Sequence, residues 1–74
     1  MPKLFSSRQI VKVLSKFGFI LISQKGSHQK FRKPGNPVLT VIVPADKKEI
    51  PNGTFRSILR QADLTESEFI KRLR

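Results

Sequence analysis

Residues 19–43 read FILISQKGSHQKFRKPGNPVLTVIV, and their punctuation decides the fold. Phe19 to Gln24 is an apolar, partly β-branched run, too short for a helix and bounded by Gly18 and Gly26, so it predicts a strand. Gly26-Ser27 is a two-residue turn, and His28 to Lys33 is a second strand. Pro34-Gly35-Asn36-Pro37 makes a second turn before a third strand from Val38 to Val43, which Pro44 ends. Three strands joined by short turns predict an antiparallel meander. Strand side chains alternate, so Phe31 falls on one face and His28, Lys30 and Arg32 together on the other.

On the N-terminal side, Ser6 and Gln9 have capping-box spacing, and Phe5 with Ile10 is placed as a hydrophobic staple. Ile10, Leu14 and Phe17 then form a stripe at helical spacing, widened by Val13, with Gly18 as a left-handed stop. After Pro44 a loop leads to Pro51-Asn52, where Asn52 is the expected cap of a helix whose inner face is Phe55, Ile58, Leu59 and Ala62. Thr65 and Glu68 form a second capping box, with Leu64 and Phe69 as its staple, and open a short last helix that carries Leu73. No internal repeat or low-complexity linker interrupts the chain. The expectation is one α+β domain over residues 1–74, in the order α-β-β-β-α with a short terminal helix. Its three-stranded antiparallel sheet should be covered by helices on one face, as in double-stranded-RNA-binding domains.

Composition narrows the partners. A domain of 74 residues has little core to spare for a deep pocket, so a large ligand gripped from outside suits it best. It has no cysteine, which removes disulfides, thiol catalysis and thiolate zinc sites. The formal net charge is +10, and the first 45 residues hold eight Lys or Arg and no acid. Such a one-signed half attracts phosphate backbones or anionic lipid. Nucleic acid is the preferred partner and a membrane is not expected, because every apolar residue has an assigned core role. All six Phe are also assigned to staples, stripes or strands, and there is no Trp or Tyr for stacking bases. RNA recognition should therefore rest on phosphates, ribose hydroxyls and shape. No leader-like or membrane-length apolar run stands out, so the default location is the cytoplasm.

His28 is the only histidine, and it shares a strand face with Lys30 and Arg32, near Lys25 and Ser27. On spacing alone the plainer role, one more phosphate contact, is favoured. The alternative is chemical. RNA carries its own nucleophile, so a base need only take the 2′-OH proton while cations neutralise the charge growing on phosphorus. Lone His28 without acids nearby does not make a metal site, so neither cofactor nor metal is expected. The second group that such cleavage uses, an acid for the leaving oxygen, is left open among Lys30, Ser27 and water. Arg56 and Arg60, one turn apart and off the apolar stripe, either extend a phosphate track or form a solvated helix face. Lys47-Lys48 reads as a charged loop.

Three segments carry a family resemblance: Gly26-Ser27-His28-Gln29-Lys30-Phe31-Arg32, the step Val43-Pro44, and Gly53-Thr54-Phe55-Arg56-Ser57-Ile58-Leu59-Arg60-Gln61-Ala62. Together with the opening helix ending in Gly18-Phe19 and the stretch from Leu64 to Phe69, they resemble the HicA family of mRNA interferase toxins. The resemblance implies a double-stranded-RNA-binding-like fold and the toxin role in a type II toxin–antitoxin system. It further implies metal-independent endoribonuclease cleavage of mRNA with His28 as the catalytic residue, and inhibition by a HicB-type antitoxin. A non-catalytic RNA-binding module of the same fold is the alternative. Two departures stand out. Many relatives have His or Arg just after Val-Pro, where this chain has Ala45-Asp46, and relatives commonly have Gly in place of Asp63.

Overall fold

The computed structural model describes residues 4–73. Along the chain run α1 (Ser7–Lys16), β1 (Ile20–Lys25), β2 (His28–Lys33), β3 (Leu39–Pro44), α2 (Asn52–Ala62) and α3 (Glu66–Leu73). The strands form one antiparallel sheet in the order β1-β2-β3. This is the expected α+β meander, with strand ends moved by about one residue. Val38 drops out of β3, and Pro44 instead closes its ladder opposite His28.

Local chemistry fixes the helix ends. The Ser6 side chain accepts from the Gln9 amide, and the Gln9 side chain accepts from the Ser6 amide, so the capping box is complete. α1 stops at Gly18, which has φ 95°. There Phe19 donates its amide to the Leu14 carbonyl and Gly18 donates to Ser15, the bond pair of a Schellman motif. α2 ends in the same way, with the Leu64 amide on the Leu59 carbonyl, but Asp63 fills the left-handed position at φ 57°. The departure at Asp63 is thus a non-glycine residue doing a glycine's work. Asn52 does not cap α2. It is already helical, and Pro51 is the capping residue without a side-chain bond, its extended backbone (φ −56°, ψ 146°) sufficing to start the helix. At α3 the Thr65 amide donates to the Glu68 carboxylate at 2.8 Å and the Thr65 hydroxyl accepts from the Glu68 amide. That backbone bond, then the Thr65 side chain, holds the Glu68 carboxyl below its ordinary range.

The helices cover one face of the sheet. Phe31, Val41 and Val43 meet Ile10, Val13 and Leu14 of α1 and Phe55, Ile58 and Leu59 of α2, with Phe5, Ile50 and Phe69 closing the core. The free edge of β3 is blocked: the Ile42 amide donates to the side-chain oxygen of Gln61, which itself donates to Ser57.

A second expectation is overturned. Not every apolar residue is in the core: Ile20, Leu21 and Ile22 are 59%, 46% and 43% exposed, and Val38 and Ile42 are also open to solvent. Ile20 and Ile42 lie opposite Arg32 and Lys30 on the uncovered sheet face, while β1 is an edge strand disturbed by a bulge between Leu21 and Ser23. Two short helices, each about 15 Å long, cannot roof three strands. The edge they miss is apolar, so a lack of exposed apolar surface no longer counts against a lipid partner. Among the described residues, no helix is long and apolar enough to cross a membrane.

Candidate nucleic-acid interface

The turn before His28 is as tight as the sequence requires. Lys25 pairs with His28 across Gly26-Ser27, and of the two turn residues only Gly26 has positive φ, at 58°. A left-handed first position is what glycine supplies in a two-residue hairpin. His28 is therefore the first residue of β2, exposed, with Lys25 on one side and Pro44 on the other.

Register then sorts the cations. His28, Lys30 and Arg32 stand on the uncovered face at steps of about 7 Å, twice the rise per strand residue. Their cross-strand neighbours there are Lys25, Ser23 and Ile20 on β1, and Pro44, Ile42 and Thr40 on β3. Phe31, between them, is buried on the helix side. The face thus presents three cations beside one imidazole, with apolar Ile20 across from Arg32 and Ile42 across from Lys30. It holds no aromatic platform: five Phe are buried, and the half-buried Phe17 is covered by Arg72, whose guanidinium lies 5.1 Å from the ring centre. Ser27, in the turn, is exposed beside His28.

Arg56 and Arg60 are not brought to this face. Both are exposed on α2, in the layer that packs on the opposite side of the sheet. On the helical wheel they lie beyond Ser57 and Gln61, the pair that meets the β3 edge. Among the described residues no three of His, Asp and Glu gather as a metal-binding cluster.

What the sequence hid is the support behind His28. Ser7 is 5% exposed, the one buried polar residue among those described. Its hydroxyl donates to the Pro44 carbonyl at 2.6 Å and accepts from the Lys47 amide at 3.0 Å, while its own amide donates to the Lys47 carbonyl. The Ala45 amide donates to the Ser27 carbonyl at 2.7 Å. The start of α1 thus clamps the segment after β3 against the turn that carries His28. Ala45 is buried in this clamp, and Asp46 follows at φ 58°. The only sequence signal for Ser7 was its place next to the cap.

Replacing Ser7 with Ala leaves the Pro44 carbonyl and Lys47 amide without that partner. The expected cost is about 1–3 kcal/mol, which lowers Tm by about 4 °C or more in a domain of this size. Thermal melts give the first value. Amide exchange at Lys47 should accelerate, and unchanged exchange there would mean that the hydroxyl is not the clamp.

Residues 7–64 match the family model described as HicA toxin of bacterial toxin-antitoxin. A comparison with curated proteins found no match. The matched stretch runs from Ser7 of the clamp, through the whole sheet, to Leu64 just past the turn that ends α2.

Proposed function

The chain belongs to the HicA toxin family of bacterial toxin–antitoxin systems, and from that premise we propose that it is an endoribonuclease that cleaves mRNA with His28 as general base. The observation that carries the reading is the exposed imidazole at the mouth of a tight turn, on a sheet face shared with Lys25, Lys30 and Arg32. The imidazole removes the proton from a ribose 2′-OH, whose oxygen attacks the adjacent phosphorus. The P–O5′ bond breaks to leave a 2′,3′-cyclic phosphate, and the departing 5′-oxygen takes a proton from Lys30, Ser27 or water to become a 5′-OH. Lys30 and Arg32, with Lys25 across the hairpin, hold the phosphate and neutralise the charge that builds on its oxygens. Ser27 contributes a further contact at the turn, and Arg56 and Arg60 engage phosphates of the same RNA around the other layer. The toxin needs a cognate antitoxin, and a HicB-type protein that covers the His28 face would silence it in the cytoplasm.

This chemistry draws its nucleophile from the substrate, so a divalent ion has no required step. RNA digestion should persist in EDTA, DNA should be untouched, and the new ends should be 2′,3′-cyclic phosphate or its hydrolysis product. End-group analysis by mass spectrometry tests this directly. Activity that disappears in chelator and returns with magnesium would sink the mechanism. One observation favours the second reading, a non-catalytic RNA-binding module: the cross-strand neighbours of His28 are Lys25 and Pro44, so no carboxylate stands beside the ring on either strand.

A further inference from the structure

On the reverse of the hairpin that carries His28 lies a groove of about 630 Å³, lined by Arg8 and Val11 of α1, Gln24 and Gln29 of the sheet, and the segment from Ala45 to Lys48. Its volume is within the ~300–1,000 Å³ that holds a small ligand, so a nucleotide-sized unit fits. The chemistry of the walls is divided. Arg8, Lys47 and Lys48 are exposed cations. Gln24 and Gln29 face each other across the strands, on the helix side of the sheet. The Gln24 amide makes one long bond, 3.5 Å, to the Gly26 carbonyl. The half-buried Gln29 carboxamide has no hydrogen-bond partner among the described residues. Asp46 adds one carboxylate to the lining.

We propose that this groove holds an unpaired nucleotide of the RNA next to the cleaved bond: Gln24, Gln29 and Asp46 read its base, and Arg8, Lys47 and Lys48 hold its phosphates. A carboxamide offers a donor and an acceptor side by side, the pattern that matches a base edge, and a carboxylate accepts from an exocyclic amine. Three cations against one acid leave the groove attractive to a phosphate backbone. Position supplies the link to chemistry. Gln29 follows His28 directly and points to the other face of the same strand. The Ala45–Ser27 bond ties the groove wall to the turn between them. A strand of RNA that rounds the hairpin tip therefore presents one nucleotide to the groove and the next phosphates to His28. The inference rests on the RNA-cleaving reading for its meaning, but its binding can be tested without cleavage.

The test uses the full chain with His28→Ala, so that RNA is bound and not cut, and a random pool of single-stranded 20-nucleotide RNA. Adding R8Q, K47Q and K48Q should reduce the slope of log affinity against log salt by about 2, from roughly 0.7 for each single-strand phosphate that is no longer neutralised. The single K47Q and K48Q variants should each reduce it by about 0.7, which keeps the result readable if the triple variant misfolds. Sequencing the bound fraction should show a base preference at one position, and Q24A with Q29A should reduce it by about 5- to 150-fold, the range of one good amide–base contact. An unchanged salt slope, or a preference that survives removal of both glutamines, overturns the proposal. So does RNA binding that persists while polyglutamate binding disappears, which would assign the groove to an acidic protein partner. RNA cut by the His28→Ala chain would appear as fragments on the same gels. That would be a failure of the catalytic reading, distinct from a failure of the groove.

Discussion

Replacing His28 with Ala is expected to lower RNA cleavage by about 10²–10⁴-fold, the usual contribution of a general base, while leaving the fold and most RNA affinity in place. The residue is exposed and begins a strand, so its removal should change stability by less than about 0.5 kcal/mol. Affinity should persist because it comes chiefly from the cations that remain, and it should still fall with salt. Growth arrest on expression should disappear with cleavage. Removing Lys30 and Arg32 together should do the reverse in kind: weaker binding and a shallower salt slope, by about 1 for each phosphate that a cation no longer meets. Single-turnover cleavage and equilibrium binding, measured on the same proteins, separate the two effects. A His28→Ala protein that folds, binds and cuts as the parent does would place the chemistry elsewhere. A parent that binds RNA and never cuts it would favour the plain binding module.

The face that carries His28 was legible because it depends on local rules. A Gly-Ser turn of two residues sets the register, and alternation then puts His28, Lys30 and Arg32 on one side and Phe31 on the other. The helices were legible for the same reason: both capping boxes lie within four residues and have the predicted bonds. The cap at Asn52 failed because a capping side chain and a first helical residue look alike in sequence, and the adjoining Pro51 took the outer position.

Features that depend on distant pairs were not legible. Ser7 meets Pro44 and Lys47 across 37 and 40 positions of chain, and nothing in its neighbourhood announces it. The groove draws its walls from α1, from both strands of the first hairpin and from the loop after β3. The exposed apolar edge was misread because a strand rich in Ile and Leu looks buried, whereas burial depends on whether a helix passes above it. β1 lies beyond that cover. Its partner edge on β3 is closed by Gln61, so the two edges of one sheet are treated differently. The buried counterpart of that asymmetry is on the helix side, where the chain's last helix adds a ring to the core.

Replacing Phe69 with Ala should bring the domain close to unfolding. Phe69 is 0% exposed and lies outside the stretch matched by the family model. Its ring centre lies 5.1 Å from that of Phe5 and 4.9 Å from that of Phe55, which are themselves 5.1 Å apart. The three rings come from the segment before α1, from α2 and from α3, so one side chain joins both ends of the chain to the middle. Deleting a buried Phe side chain costs about 3–5 kcal/mol. A domain of this length holds only about 4–11 kcal/mol in all, at roughly 0.05–0.15 per residue. The expected fall in Tm is about 12 °C or more, and chemical denaturation should give a matching decrease at unchanged slope if the denatured state is unaffected. Phe69→Leu keeps most of the apolar volume and should recover much of the stability. If Phe69→Ala costs less than about 1 kcal/mol, far below the range for a buried ring, then α3 is a peripheral helix and the core closes without it. The large value would mean that the sheet presenting His28 is held in shape by a residue of α3, in the core behind it.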